Sequence, residues 1–385
     1  MSRLEAMDIA VRLERDLVRN TRIDLRAGSG AFDLPPGAAF ASRFLGSLQS
    51  HHAVDLLRGA RGGSTQPIQP GTIPLGALVH LRTSGTTGEP KVRTLRWGAL
   101  LEMASLVNQA VEYGPDDSWG WCLPCDHIGG VSVLVRALVS GGVADPGTPA
   151  DLVTRCTHIS LVPTQLRDLL DAGVKPSGML RCALVGGAST PLSWVSEALD
   201  MGWPLYATWG ATETAAAATI GKRTGNESEG YSGHPLPGVE LLFQDQEIVA
   251  CGPFAPDPVR TGDCGHLAED GSLIVQGRKD QGFTCGGHNI RPSALEASLL
   301  ELPGVRQAIV LAAEHPRWQH VPIAFLDVVP APETLDLFAS KREPWSVPHA
   351  VYQLPLSSDA KMSQAMLRDA ARTSAPLWQR DESHR

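Results

Sequence analysis

The segment from Leu81 to Lys91, LRTSGTTGEPK, carries side chains suited to binding a polyphosphate. Its hydroxyl residues stand among glycines, which let the backbone turn its N–H groups toward an anion, and its lysine adds a positive charge. The Walker arrangement is excluded because it requires Gly-Lys-Ser/Thr, whereas Pro90 separates the glycine from the lysine here. The alternative is a surface turn rich in Ser, Thr and Gly. The loop taken alone leaves both interpretations open.

Two further side chains capable of chemistry belong to a second apolar region. His127 follows a short apolar run, and Arg136 is the charged residue among the otherwise apolar positions Val131 to Leu138. A guanidinium in such a helix is expected to turn toward a cavity or a bound partner, where it matches a carboxylate in geometry and charge. The alternative is an internal ion pair with Asp126 or Asp145.

From residue 157 onward, apolar runs of strand length alternate with runs at helical spacing. The predicted order is strand, helix, strand, helix, strand, at Thr157–Val162, Thr164–Ala172, Leu180–Val185, Pro191–Met201 and Trp203–Thr208. This alternation favours a parallel sheet, in which ligands bind at the carboxyl ends of the strands. The segments GGAST (Gly186–Thr190) and WGATET (Trp209–Thr214) fall at such ends and are therefore candidate site segments.

The preceding part of the chain is predicted to supply further helices and strands. An amphipathic helix is expected over residues 4–27 and a helical piece near Ala41 to Arg58. A strand is expected over Leu75–Leu81, a helix from about Trp97 to Tyr113, and a strand over Trp119–Pro124.

The chain after Gly225 changes character. Short alternating runs with turn pairs such as Asp270-Gly271 predict antiparallel β structure. Beyond Gln281 we expect a smaller unit, with a helix from Pro292 to Glu301 and strands near residues 306–313 and 321–329. The resulting prediction is an α/β protein with a large N-terminal domain, residues 1–279, that has parallel α/β sheets and an antiparallel β region. A small mobile C-terminal α+β domain is predicted over residues 280–385.

Composition and charge restrict the class of protein. Its 385 residues allow two or three domains, and 43% hydrophobic with 19% charged residues is typical of a soluble globular chain. A net charge of −8 without a dense Lys/Arg run argues against a nucleic-acid partner. Seven scattered cysteines, an odd number, favour reduced thiols in a cytoplasmic protein. Charges interrupt both the N-terminus and the apolar stretch Gly129 to Ala144, so neither a signal peptide nor a membrane partner is expected.

Five segments resemble, in order, the motifs of the adenylate-forming superfamily of acyl-CoA synthetases, luciferases and adenylation domains. They are TSGTTGEPK, WGATET, RTGD, GRKDQGFTCGGHNIRPSALE and LPLSSDAKMSQ, and the resemblance extends from about residue 80 to about residue 368. Within that superfamily, LPCDHIGGVSVLVRAL is similar to the o-succinylbenzoate–CoA ligases, in which an arginine follows a histidine by nine positions, as Arg136 follows His127 here. The chain departs from the pattern where Val92 and Arg93 follow the loop lysine in place of the usual glycine.

The resemblance implies that one group of residues binds ATP. The residues that would hold the β- and γ-phosphates are Thr83, Ser84, Gly85, Thr86, Thr87, Gly88 and Lys91. The rest of the nucleotide would contact Gly187, Trp209 (adenine), Thr212 (α-phosphate), and Asp263 with Arg278 (ribose).

The resemblance also implies catalytic, substrate and hinge residues. Glu213 would hold Mg²⁺, a cation that prefers hard oxygen ligands, and Lys361 would stabilise charge in the first transition state. Thr212 and His127 complete the expected catalytic set, and His127 with Arg136 would bind the acid. The small domain would rotate about Asp280.

The implied activity is a two-step ligation that uses ATP, Mg²⁺ and coenzyme A. A small-molecule carboxylic acid would form an acyl-adenylate and then a CoA thioester, and the resemblance favours o-succinylbenzoate as this acid. Alternatives are another aryl or short-chain acid, a carrier protein as the acceptor, or a non-catalytic nucleotide-binding descendant. The sequence leaves a homodimer open.

Overall fold

A computed structural model describes residues 54–56, 78–83, 91–124, 127–355 and 364–380 of the chain. In these ranges the strands are, in chain order, β1 (Val54–Leu56), β2 (Leu78–Thr83), β3 (Lys91–Arg96), β4 (Ser118–Trp121), β5 (Val143–Pro146), β6 (His158–Leu161), β7 (Cys182–Val185), β8 (Leu205–Ala211), β9 (Ala216–Lys222), β10 (His234–Pro235), β11 (Glu240–Gln244), β12 (Glu247–Gly252), β13 (Ala255–Leu267), β14 (Leu273–Arg278), β15 (Phe283–Cys285), β16 (His288–Ile290), β17 (Ala308–His315), β18 (Gln319–Leu326), β19 (Ala350–Gln353) and β20 (Trp378–Gln379). The α-helices are α1 (Trp97–Ala110), α2 (Ile128–Ser140), α3 (Pro149–Arg155), α4 (Pro163–Asp171), α5 (Leu192–Asp200), α6 (Pro292–Leu300), α7 (Pro332–Ser340) and α8 (Gln364–Thr373). Single 3-10 turns lie at Thr212–Thr214, Lys279–Gln281 and Pro344–Ser346.

The central sheet has the strand order β10-β9-β8-β7-β6-β4-β5. Strands β4 to β8 run parallel, whereas β9 and β10 run antiparallel to their neighbours. Helices α1 and α2 cover one face, and α3, α4 and α5 cover the other. Because both faces are covered, every residue of β6 and β7 is buried. Strand β7 is accordingly a continuous apolar run, and in β6 the two polar residues, His158 and Ser160, are hydrogen-bonded to Val111 and Trp119. The α/β prediction is confirmed, and the elements predicted between residues 157 and 208 are found within a few residues of their expected bounds.

A second sheet is antiparallel, in the order β11-β12-β13-β14, as the sequence predicted for the region after Gly225. Asp270 and Gly271 form the turn between β13 and β14, with Gly271 at a φ of +82°, where a glycine is favoured. In the register of this hairpin, Asp263 lies directly opposite Arg278. Two residues that are fifteen positions apart in the chain are thereby brought together.

A third sheet is built from strands after residue 282, in the order β16-β15-β18-β19-β20, with β17 paired to β18. Helices α6 and α7 bury their apolar side chains against this sheet. The helix and the two strands predicted for this part of the chain are present, and β19 adds a parallel partner for β18. Within the described ranges, no hydrogen-bonded strand pair joins this sheet to the sheets that precede it.

One predicted element is wrong where the structure describes it. Residues 54–56 form strand β1 and pair in parallel with β2, Val54 opposite Val79, although a helical piece was expected near Ala41 to Arg58. The segment Val-Asp-Leu alternates apolar and polar side chains, which suits a strand, and pairing with β2 satisfies its backbone groups. The rest of that segment and the helix expected over residues 4–27 lie outside the described residues.

Helix α2 covers most of the apolar stretch between Gly129 and Ala144. It is 13 residues long, and its buried side chains pack on the central sheet. Neither α2 nor any other helix in the described ranges is both long enough and apolar enough to cross a membrane.

Glu296 in helix α6 gives the small sheet a pH-dependent contribution to stability. Its carboxylate accepts a hydrogen bond from the backbone N–H of Val310 at 2.8 Å, and burial raises its pKa to about 7, with that hydrogen bond acting in the opposite direction. The unfolded chain loses this proton near the ordinary glutamate pKa, below that of the folded protein. Folding stability from this group is therefore present at low pH and is lost as the pH rises toward 7.

The substitution Glu296→Gln should remove this loss of stability at high pH, and the amide oxygen of the glutamine can still accept the hydrogen bond from the Val310 N–H. The melting temperature of the variant should exceed that of the wild type by several degrees at pH 8, an effect of about 1–3 kcal/mol, and the difference should shrink toward pH 5. Thermal melts across this pH range measure it. Glu314→Gln, at an exposed position on β17, is the matched control. A constant difference between Glu296→Gln and the wild type at every pH would contradict the prediction.

Candidate active site

Asp263, on β13, accepts hydrogen bonds from two sides. The indole N–H of Trp209 donates to Oδ2 at 2.8 Å, and Nη1 of Arg278 donates to Oδ1 at 3.1 Å. The same Nη1 also donates to the carbonyl of Thr261 at 2.8 Å, so the guanidinium is tied to the strand that carries Asp263. Three of the residues predicted to bind the nucleotide are therefore in direct contact, and they join the end of β8 to the β13–β14 hairpin.

Trp209 takes its position from strand β8. Its ring is 7% exposed and belongs to the main apolar core, while its N–H points to Asp263. The sequence suggested a flat face for adenine to stack on. The structure shows in addition that the ring edge donates a hydrogen bond, which fixes the orientation of the Asp263 carboxylate. Adenine stacking stays a prediction.

Glu213 lies in the 3-10 turn Thr212–Thr214 that follows β8. Its Oε1 is 2.6 Å from Nε of Arg93, on β3, and the two side chains are 27% and 43% exposed. A single exposed carboxylate suits Mg²⁺, which keeps several waters and is usually bound by one or two carboxylates together with substrate phosphates. Among the described residues no group of three or more His, Cys, Asp or Glu could hold a metal ion, so Glu213 and the phosphates would have to supply the ligands.

The phosphate-type loop joins β2 to β3. Thr83 and Lys91 are paired across this antiparallel hairpin, and the central loop residues, Ser84 to Pro90, lie outside the described residues. Since β2 and β3 converge here, both ends of the loop are brought together by regular strand pairing. The phosphate contacts of the loop stay a prediction.

Gly187 lies just beyond the carboxyl end of β7 with a φ of +85°. It is exposed, as expected for a backbone segment that lines a ligand site. Its neighbour Gly186 packs so closely on β8 that an added Cβ would lie 2.6 Å from the side chain of Thr208. Glycines at both positions therefore let the GGAST segment follow the edge of β8.

His127 and Arg136 are separated in the structure. His127 is exposed at the amino end of α2, next to the carboxyl end of β4, whereas Arg136 lies roughly 13 Å further along the helix axis. The first turn of this helix requires a glycine at position 130, because an added Cβ would lie 2.1 Å from the carbonyl oxygen of Pro124. The two residues are on one helix but are not brought together at one point.

The Arg136 side chain is buried between α2 and the central sheet, with 3% exposure. Its guanidinium lies over the Trp119 ring, 4.5 Å from the centroid, and Nη1 donates to Oγ of Ser160 at 3.2 Å. Its Nε has no hydrogen-bond partner among the described residues. Burial lowers the pKa of Arg136 to about 10, and Cys182 and Tyr113 act in the opposite direction.

No carboxylate in the described part of the chain pairs with Arg136. Asp145, one of the two acids considered from the sequence, binds Arg155 instead, with Nε 2.8 Å from Oδ2, so this alternative is wrong. Asp126, the other acid, lies outside the described residues. A buried guanidinium without a counter-ion is unfavourable unless a ligand or an aromatic face compensates it, and Trp119 supplies part of that compensation.

Sequence reasoning gave no role to Glu247, on β12. Its carboxylate is buried and receives hydrogen bonds from Arg260, from Lys279 Nζ at 3.2 Å and from the Gly262 N–H at 3.3 Å. Burial alone would raise its pKa, but the bonds from Lys279 and Arg260 outweigh burial and lower it. Glu247 thus anchors the end of β14 next to Asp280. This role of Glu247 becomes visible only when the pairing of β12 with the strand that carries the RTGD segment is known.

The comparisons with known proteins agree with this geometry. Residues 77–255 match the AMP-binding enzyme family. The 2-succinylbenzoate–CoA ligase of Bacillus pumilus is 32% identical over 330 residues, which cover 74% of this chain and 67% of the relative. The ligase of the same name from Bacillus cereus (strain ATCC 10987) is 31% identical over 338 residues, 76% of this chain and 70% of the relative. This chain belongs to the AMP-binding enzyme family.

Solved structures of the AMP-binding family share the fold. The o-succinylbenzoate coenzyme A synthetase of Bacillus subtilis in complex with ATP and magnesium ion has a TM-score of 0.70 and 26% identity, covering 79% of this chain and 73% of that chain. Its complex with the acyl-adenylate intermediate has a TM-score of 0.69 and 26% identity, covering 79% and 72%. The superfamily resemblance drawn from the sequence motifs and the predicted fold class are both confirmed.

The contacts of Asp263 predict that its substitution weakens ATP binding. Asp263→Asn removes the negative charge and one of the two acceptor oxygens that would face the ribose. We expect the KM for ATP to rise about tenfold or more, the loss of roughly one charge-assisted hydrogen bond, with little change in the KM for the acid. Asp257→Asn, an exposed acid on the same strand, is the matched control for charge. Equal effects on both substrates would show that Asp263 only supports the fold.

Proposed function

We propose that this chain activates 2-succinylbenzoate with ATP and then transfers the acyl group to coenzyme A. The observation that carries the proposal is the convergence of Trp209, Asp263, Arg278 and the Glu213 turn at the carboxyl edge of the central sheet, where ligands bind in such folds. The identity of the acid is supported by the names of the relatives and by the buried guanidinium of Arg136, which has no carboxylate partner among the described residues. The ligase class and the ATP requirement follow from the family.

The first step is an attack by a carboxylate oxygen of the acid on the α-phosphorus of ATP. The bond from that phosphorus to the bridging oxygen breaks, pyrophosphate leaves, and an acyl-adenylate stays bound. Asp263 and Arg278 would hold the ribose, and Thr212 would contact the α-phosphate, so that the reacting atoms are positioned before charge develops. Mg²⁺, held at Glu213, would supply charge neutralisation on the phosphates. Lys361, which lies outside the described residues, stays the predicted charge donor of this step.

The second step is an attack by the thiolate of coenzyme A on the acyl carbon. The bond from that carbon to the phosphate oxygen breaks, the thioester forms, and AMP leaves. We propose that His127, exposed beside the carboxyl end of β4, faces the acyl group in this reaction. A cytoplasmic location and a homodimer stay predictions.

Arg136 is proposed to recognise the second carboxylate of the acid, the one that is not activated. Its guanidinium has an unused donor at Nε, and no carboxylate of the described chain neutralises it. A carboxylate on a succinyl chain would supply both the counter-charge and the hydrogen-bond acceptors. Trp119 and Ser160 already fix the orientation of the guanidinium, so little side-chain freedom would be lost on binding.

A boundary between two domains is proposed at Asp280. The sheets before it and the sheet after it share no strand pair in the described residues, and Asp280 lies in the single 3-10 turn Lys279–Gln281. Two contacts connect the small domain to helix α4: Nε of Arg306 lies 2.8 Å from Asp171, and its Nη1 lies 3.4 Å from Asp168. Exposed ion pairs contribute about 0–1 kcal/mol each, so such an interface can exchange with another orientation.

Apolar contact across this interface is limited as well. Leu300, at the end of α6, packs against cores on both sides of the boundary. Beside it is a cavity of about 540 Å³ whose lining includes Arg167, Trp194, Glu301 and Arg306. Close to the boundary, the Ser293 hydroxyl donates to the carbonyl of Gln276 at 2.6 Å, and Arg291 donates to the side chains of Gln276 and Gln246. An interface made of a cavity, ion pairs and polar hydrogen bonds fits a domain that rotates between two half-reactions.

The proposed function is tested by pyrophosphate release with a panel of carboxylic acids. 2-Succinylbenzoate should give ATP-dependent pyrophosphate release, and adding coenzyme A should give AMP and the acyl thioester in equal amounts. Transfer only to a carrier-protein phosphopantetheine would replace the acceptor assignment. Release with no acid in the panel, despite ATP binding, would favour a non-catalytic nucleotide-binding descendant.

The role of Arg136 is tested with two acids and two substitutions. Arg136→Ala should lower kcat/KM for 2-succinylbenzoate about 30- to several-thousand-fold, because losing one partner of a desolvated charge pair costs about 2–5 kcal/mol. Arg136→Lys, which keeps the charge but not the planar fork, should recover part of this loss. A monocarboxylate analogue should be a poor substrate of the wild type and lose little further in either variant. Equal losses for both acids would make Arg136 structural and remove the support for a dicarboxylate.

The hinge is tested by Asp280→Pro. Proline disfavours the helical conformation in the preceding residue, Lys279, which lies in the same 3-10 turn. The variant should be held in one domain orientation, so that pyrophosphate release without coenzyme A stays within about tenfold of the wild type. Thioester formation from supplied acyl-adenylate should fall much more. Asp280→Asn, which keeps the backbone freedom, should spare both; normal rates of both steps in Asp280→Pro would disprove the hinge.

A further inference from the structure

Arg93 forms an ion pair with the carboxylate expected to bind the metal. Its Nε lies 2.6 Å from Oε1 of Glu213, and it stands two residues after Lys91, the end of the phosphate loop. The motif that contains Lys91 usually continues with a glycine, so this arginine is a departure from the pattern. Neither the fold nor the steps derived above require a cation at this position.

The two partners of this pair lie on elements that hold them in place. Arg93 is in the middle of β3, which is paired with β2 along its whole length. Glu213 lies in a turn whose next residue, Thr214, is fully buried, and the Thr214 hydroxyl donates to the carbonyl of Ala216 at 2.9 Å. The pair is therefore set by secondary structure on both sides.

Backbone strain adds to the rigidity of the Glu213 turn. Ala215 and Ala216 have φ values of +54° and +86°, a region that costs a residue with a Cβ about 1–3 kcal/mol. Gly210 faces this turn, and a Cβ there would lie 1.7 Å from the carbonyl oxygen of Ala216. Such strain persists only where the surrounding structure imposes it, so the position of the Glu213 carboxylate is built into the fold.

A guanidinium and Mg²⁺ are both cations, and at Glu213 they would share one carboxylate, so that each weakens the attraction of this carboxylate for the other. The metal requires an oxygen lone pair on Glu213, and Arg93 already holds Oε1 at 2.6 Å and places a positive charge beside it. A guanidinium that is released from the carboxylate has a second good partner in a bound nucleotide, because its fork matches phosphate oxygens. Arg93 and the metal can therefore exchange partners when the nucleotide binds.

We propose that Arg93 competes with the divalent cation for Glu213 and passes to a phosphate group of the nucleotide when the cation takes the carboxylate. Arg93 would then weaken metal binding and strengthen nucleotide binding. The proposal rests on the proposed function, since it assumes that the site takes ATP and a divalent cation. It makes Arg93 a binding residue of this chain that the common motif lacks.

Opposite changes in the two affinities test this exchange. Binding of Mn²⁺ to the protein without nucleotide is measured from the electron paramagnetic resonance signal of free Mn²⁺, and binding of the Mn²⁺ complex of α,β-methylene ATP is measured by calorimetry. In Arg93→Ala the dissociation constant for Mn²⁺ should fall about two- to fivefold, the worth of about 0.5–1 kcal/mol for an exposed pair. The dissociation constant for the Mn²⁺ complex of the analogue should rise at least threefold, because the contact of Arg93 with the phosphate is lost. Arg93→Lys should restore part of the analogue binding.

Two controls separate the exchange from other effects. Arg96→Ala removes the same charge from another exposed position on β3, so equal changes in that variant would reduce the effect to net charge and overturn the proposal. Glu213→Gln should weaken Mn²⁺ binding, which shows that the signal reports this carboxylate. A mere structural role of Arg93 would weaken both affinities together, and that outcome also overturns the proposal.

Failure of the proposed function has a different signature. Mn²⁺ binding that is unchanged by Arg93→Ala, in a wild type that binds metal and releases pyrophosphate, overturns the competition and leaves the ligase assignment intact. A wild type that binds neither Mn²⁺ nor the analogue overturns both. Tighter metal binding together with weaker analogue binding supports the exchange.

Discussion

The arrangement of the site depends on the Asp263 carboxylate and its two donors. Trp209 comes from the central sheet and Arg278 from the antiparallel sheet, so this one carboxylate links two sheets that share a core but no pair of strands. Arg278 extends the connection to Asp280, with Nε 3.4 Å from Oδ1. The strand register decides this, because a slip of one residue would turn Asp263 to the opposite face of its sheet. The same strand register therefore places Asp263 at the site and fixes Arg278, after which the chain continues into the small domain.

Arg136 and Arg93 show how burial changes what a positive charge contributes to the structure. Arg136 is 3% exposed and has an aromatic face and a hydroxyl as partners, but no carboxylate in the described chain. Its charge is costly there and is best explained by a ligand that brings the counter-ion. The Arg93 side chain is 43% exposed and does have a carboxylate partner. Such a pair contributes little to stability, so its interest lies in the exchange of partners that it permits.

The interface beyond Asp280 includes ion pairs of Arg306 and hydrogen bonds from Ser293 and Arg291 to Gln276 and Gln246. Arg306 reaches two aspartates of α4, and Leu300 is the apolar residue that touches the cores on both sides. In contrast, Glu247 binds Lys279 and Arg260 through a buried carboxylate just before the boundary. A firmly held strand end next to a largely polar interface supports the proposed hinge at the turn Lys279–Gln281. This contrast is the physical basis for placing the hinge there.

The order of most elements follows from the sequence itself, and so does the choice of the candidate nucleotide-binding residues. Apolar runs such as Cys182–Val185 are buried on both faces and show it in their composition, and the motif segments fall at the strand ends that the alternation predicts. Residues 54–56 could not be assigned locally, since their conformation is decided by pairing with β2. The indole bond to Asp263, the role of Glu247 and the Arg93–Glu213 pair are also absent from the sequence pattern. Each joins residues at least thirteen positions apart, and a distance across a fold is set by strand register and packing, which no local pattern encodes.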